Sequence, residues 1–143
     1  MKLRIFYSLI LSVLLFSCNQ LSKEEQEFDA LMQKVIDVHD EVMPKMGEMS
    51  SLIKELEAKV DTTAQGQNYA KAQQDVKDAY DYMMSWMGNF SDSFPHDETN
   101  DSADPEKLAA KFKLLQEEEV KVEKLRDQIN ASIKNAKAIL QKP

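Results

Sequence analysis

Six methionines fall in two groups, Met43, Met46, Met49 and Met83, Met84, Met87, and a histidine stands just ahead of the first group at His39. His39, Met43 and Met46 follow i, i+4, i+7 spacing and so share one face of a helix. Thioethers with an imidazole suit Cu(I). If the second group faces the first, His39, Met43, Met46, Met83 and Met87 make a candidate copper set. The same residues also read as packing, because methionine fills irregular gaps and Tyr80, Trp86 and Phe90 are favourable sulfur–aromatic neighbours. Packing is the first reading and Cu(I) binding the alternative. The discriminating feature is whether the sulfurs and the His39 ring converge on one point.

Other chemistry finds little support. The second histidine, His96, lies among Asp92, Asp97, Glu98, Asp101 and Asp104, acids that attract Ca²⁺ weakly but lack the glycine of an EF-hand loop. A solvated loop is expected there. The run Glu117-Glu118-Glu119 reads as the solvated face of a helix. With two histidines and no distinguished carboxylate pair, no catalytic set is expected, and the chain reads as a non-enzyme.

The 143 residues include three glycines, four prolines and one cysteine, with 18 Lys+Arg against 25 Asp+Glu. So few glycines exclude a turn-rich sandwich and a phosphate-cradling loop. One cysteine excludes a disulfide framework and a thiolate zinc site. A net charge of −7 opposes nucleic-acid binding, which needs clustered Lys and Arg.

The cysteine acquires meaning from its position. Residues 1–17 carry Lys2 and Arg4 and then an apolar run from Ile5 to Phe16, too short for a bilayer core that takes about 20 residues, and so read as a signal peptide. The segment Leu15-Phe16-Ser17-Cys18 resembles a bacterial lipobox. That resemblance implies cleavage before Cys18, a diacylglycerol on its sulfur, and an acyl group, palmitate among the usual ones, on the new amino terminus. The expected location is the bacterial envelope, most readily the outer membrane, with the bilayer as the first partner and another envelope protein or a second copy as the next. Loss of Lys2 and Arg4 would leave 16 basic residues against 25 acidic, net −9, so the domain should stand off anionic lipid rather than lie on it. Residues 18–22 form the tether. Lys23-Glu24-Glu25 looks like the Lys-plus-acids surface-export signal of some Bacteroidota lipoproteins, while Ser22-x-x-Glu25 is a capping box. The cap is the preferred reading, and the membrane face stays open.

What must position these residues is a seven-residue apolar repeat. Phe28, Met32, Val35, His39, Val42, Met46, Met49, Ile53, Leu56 and Val60 advance by alternating steps of four and three, predicting a helix over 23–60. Pro44 should bend it. Thr62-x-x-Gln65 offers a cap for a second helix over 63–90, with a stripe from Tyr69 through Ala72, Val76, Ala79, Met83 and Trp86 to Phe90, ended by Gly88-Asn89. Asp104-Pro105-Glu106 starts a third, over 105–141. Its stripe runs Leu108, Phe112, Leu115, Glu119, Val122, Arg126, Ile129, Ile133, Ala136 and Leu140. Glu119 and Arg126 either lie at a thin core edge, with Leu125 turned inward, or pair with other helices. The expected fold is all-α, an antiparallel up-down-up three-helix bundle of long coiled-coil-like helices over 23–143.

With Val38-His39-Asp40-Glu41-Val42-Met43-Pro44-Lys45-Met46-Gly47 in the first helix, Met83-Met84-x-Trp86-Met87 in the second, and a charged third helix, the chain resembles a group of small Bacteroidota lipoproteins often labelled "viral A-type inclusion protein". The resemblance implies a lipid anchor and this architecture. The label reflects generic coiled-coil similarity and implies no activity.

Overall fold

The computed structural model describes residues 21–95 and 104–141, all of them helix, turn or short connector. The expected signal peptide, Cys18 and most of its tether lie outside the described residues, as do His96, Asp97, Glu98 and Asp101. Among the described residues four α-helices, α1 (Lys23–Val42), α2 (Met46–Glu57), α3 (Ala64–Ser93) and α4 (Pro105–Leu140), make three helical limbs. α4 packs on α1 and α3, and α2 on α3, around one apolar core. Among the described residues no helix is long and apolar enough to cross a membrane.

Local chemistry sets each start. The Ser22 hydroxyl accepts from the Glu25 amide at 3.1 Å while the Glu25 carboxylate accepts from the Ser22 amide at 2.7 Å, the reciprocal capping box. Asp104 caps α4, its carboxylate accepting from the amides of Glu106 at 3.0 Å and Lys107 at 3.4 Å, with Pro105 where a missing amide costs nothing. The cap of α3 is Thr63, one residue later than the expected Thr62; its hydroxyl accepts from Gly66 N at 2.9 Å. Asp61 explains the shift, because its carboxylate takes both the amide and the hydroxyl of Thr63. Those hydrogen bonds, the side-chain one first, hold the Asp61 carboxyl below its ordinary value. Gly66 sits tight against this turn: a Cβ there would overlap the Asp61 carboxylate and lie within 2.6 Å of its backbone N and O.

At Pro44 the single helix expected over 23–60 is divided in two. Without an amide it cannot bond the Asp40 carbonyl, and α1 gives way to one 3-10 turn, Met43–Lys45, before α2 resumes with right-handed helical dihedrals throughout. The seam keeps its phase across this turn, with Val35, Val42, Met46, Met49 and Leu56 buried on either side. Val60, placed on the seam by the repeat, is exposed because the helix ends at Glu57.

Two expectations need correction. Gly88-Asn89 does not end α3, which runs on to Ser93, and no described residue has positive φ. Continuation is favoured by an aromatic ladder at i, i+4, i+8: Trp86 stacks on Phe90 at 5.0 Å, Phe90 lies 5.0 Å from Phe94, and Phe94 meets Phe28 of α1 at 6.4 Å. In α4 the buried set is Leu115, Glu118, Val122, Leu125, Ile129, Ser132 and Ala136, with Ile133 beside it. The seam is therefore rotated from the expected one. Glu119 and Arg126 lie at the core edge, Leu125 points in, and Glu118 enters the core in place of solvating the helix. Both possibilities for Glu119 are realised together: at the edge, it accepts from Lys34 of α1 and, as its hydrogen-bond partner, raises the Lys34 pKa.

Candidate functional site

The repeat places His39 on the seam, but the structure leaves it partly buried at the rim of the core. Its Nδ1 lies 2.8 Å from Oδ1 of Asp40, an exposed carboxylate that can only accept. Nδ1 is therefore the ring nitrogen that donates in this pair. Nε2 is buried and has no hydrogen-bond partner among the described residues.

Across from it, α3 contributes Trp86, Met87 and Phe90, which with Ile36 and His39 line an open cleft of about 240 Å³. Trp86 is 4% exposed, its ring centroid 5.7 Å from that of His39 at an interplanar angle of 30°. Its indole Nε1 is likewise buried without a partner. Two unpartnered polar atoms thus belong to rings on one aromatic wall. Buried polar groups are nearly always satisfied, and two of the three exceptions among the described residues belong to rings that line this one cleft.

The five residues of the candidate copper set are separated by the structure. His39 and Met87 line the cleft. Met46 and Met83 are buried in the main core with Met49, where sulfur fills space. Met43, on the face of His39 one turn later, is 40% exposed. Its amide donates to the His39 carbonyl, which ties the two positions together. No group of three or more His, Cys, Asp or Glu residues placed to hold a metal occurs among the described residues.

A third buried polar atom is Oε2 of Glu118, which lacks a partner while Oε1 accepts from Lys121 at 2.7 Å. That hydrogen bond is the chief cause of a raised Lys121 pKa. The Glu117-Glu118-Glu119 run hid this residue from a reading that grouped the three acids together. The signal was present in the 3-4 spacing of positions 115, 118, 122, 125, 129, 132 and 136. A further recess of about 350 Å³ lies between the starts of α1 and α4, floored by Leu108, Ala109 and Phe112 and rimmed by Glu24, Glu25 and Glu27.

Comparison with protein-family models, with curated proteins and with solved structures finds no match to this chain.

Proposed function

We propose that this chain is a lipid-anchored helical rod of the bacterial envelope that acts by binding or scaffolding other macromolecules, without catalysis. The observation that carries the reading is the capping box at Ser22, which starts the folded rod four residues after Cys18. So short a tether holds one end of the bundle at the bilayer, and the net charge of −9 keeps its flank off anionic lipid. In this reading the limbs run up, down and up. Support comes from the register of their contacts: Phe28 with Phe94, His39 with Trp86 and Gln73 with Ile53 fall on one side as they rise on the other, whereas Lys34 with Glu119, Lys45 with Asn130 and Glu48 with Lys137 rise together. α1 and α4 then both begin at the anchored end. Val120 on α4, 66% exposed, offers an apolar contact point for an envelope protein or a second copy.

Cys18→Ser tests the anchor. The variant should leave the membrane pellet for the soluble fraction with unchanged far-ultraviolet circular dichroism; retention in the pellet overturns the anchored reading. The binding role is tested by cross-linking the native protein in its envelope. A discrete adduct that disappears in Val120→Lys supports it, and failure to form any adduct across growth conditions counts against it.

A further inference from the structure

We propose that the cleft between α1 and α3 is a docking groove for an amphipathic helix of a partner protein, one whose apolar stripe is flanked by Lys or Arg. The groove supplies a site for the binding role proposed above and so rests on that role, but not on the lipid anchor: every residue that forms it lies in α1, the turn after it, or α3.

The groove exists because the first limb changes partner at Pro44. α1 packs on α4, whereas α2 packs chiefly on α3, and the backbones of α1 and α3 scarcely approach each other. Large rings bridge the gap, His39 to Trp86 at 5.7 Å and Phe28 to Phe94 at 6.4 Å. Between the two helices remains the open cleft of Ile36, His39, Trp86, Met87 and Phe90. Its apolar strip continues past this lining. Ile36, His39 and Met43 are spaced i, i+3, i+7 on the first limb, and Met84 and Met87 i, i+3 on α3. Ile36, Met43 and Met84 are 37%, 40% and 49% exposed, large apolar side chains left to water along the walls of one groove. From Ile36 to Met43 is about 10 Å along the axis, two turns, which matches the i, i+3, i+7 anchors of a helix laid in a groove. The unbranched thioethers of Met43, Met84 and Met87 adapt to the side chains that enter.

Charge selects the occupant. Asp29, Asp37 and Asp40 on α1 and Asp81 and Asp92 on α3 are exposed. Residues 28–43 contain one Lys or Arg, Lys34, which is engaged by Glu119 and Glu123 of α4, and residues 80–95 contain none. On α4, by contrast, Lys113, Lys121 and Lys124 are interspersed with Glu117, Glu119 and Glu123. An apolar cleft bordered by acids attracts Lys and Arg and repels an acidic helix or anionic lipid. A second copy of this chain would set one acidic border against another. A small organic ligand is a poorer match, because pockets that enclose such molecules are about 300 to 1,000 Å³, and this one, at about 240 Å³, is smaller and open.

Trp86 is the only tryptophan in the chain and lines the groove, so its emission reports binding there. The Cys18→Ser chain is titrated with a synthetic amphipathic helix of Leu and Lys in heptad spacing, and with the same peptide carrying Glu for Lys. A saturable change in Trp86 emission at one equivalent, weakened by salt, is expected for the Lys peptide and none for the Glu peptide. Ile36→Lys, which places a cation at the groove wall, should weaken binding about tenfold or more. Asp40→Asn with Asp81→Asn should weaken it about threefold and flatten its salt dependence, while Val120→Lys on α4 should leave it unchanged. No saturable change, equal binding of the Glu peptide, or an affinity indifferent to Ile36→Lys would each overturn the proposal. Cross-linking in the envelope separates the groove from the broader role. An adduct lost in Ile36→Lys supports the groove; one kept in Ile36→Lys but lost in Val120→Lys preserves the binding role and overturns the groove; no adduct in any chain counts against the binding role itself.

Discussion

Met83 and Met84 are neighbours in the chain and opposites in environment. Met83 is fully buried against the core, and Met84 is about half exposed. The first methionine group divides the same way, Met46 and Met49 inward and Met43 outward. Chemical type and proximity in sequence are therefore poor guides to role here, and helical phase is a good one. Consecutive residues on a helix point about 100° apart, so a run of like residues is cut by the core boundary.

The largest expected effect tests that boundary directly. Met83→Ala should lower unfolding free energy by about 2–5 kcal/mol, because the cavity adds to the lost transfer energy. Met84→Ala should change it by less than about 0.5 kcal/mol. Urea denaturation of the two variants measures the contrast, and equal effects would erase it.

The glycines give a second version of the same comparison. Gly66→Ala forces a Cβ into the Asp61 turn and should cost about 1–3 kcal/mol, as overpacking does. Gly88→Ala meets nothing within 4 Å inside the last two turns of α3 and should stabilise by about 0.5–1 kcal/mol. Thermal melts that moved in the same direction would contradict this placement of the two residues.

Glu118 sharpens the comparison from the polar side, since it is a charge on the buried side of the boundary. At 7% exposure, with one oxygen unpartnered, it costs desolvation that Lys121, itself at the surface, offsets only in part. Glu118→Leu should raise the denaturation midpoint, by roughly 1 kcal/mol or more in stability, whereas Glu117→Leu, on the exposed face, should not. A destabilised Glu118→Leu would mean that the carboxylate has a role in the folded protein that the apolar replacement cannot supply.

Much of the fold was legible beforehand. The caps at Ser22 and Asp104, the 3-10 interruption at Pro44 and the stripe of α3 from Ala72 to Trp86 all follow from interactions that close within a few residues. The candidate site was half legible. His39 and Met87 could be placed near one another from helical spacing and an assumed facing of the two groups, but the unpartnered Nε2, the exposure of Met43 and the loss of Met46 and Met83 to the core could not. Those depend on a side chain's neighbours from other helices, which periodicity does not specify.

By itself, then, the sequence determined that there are three helical limbs, where the first and third start, and the apolar stripe of the first two, because cap hydrogen bonds and a seven-residue repeat are local properties of the chain. Only the tertiary structure decided the rotation of α4 that buries Glu118 and leaves Glu119 at the edge, the continuation of α3 past Gly88, and which methionines enter the core. A helix with charged residues at nearly every turn can turn more than one face inward, and the two helices it packs against choose among them by the shape they leave to fill.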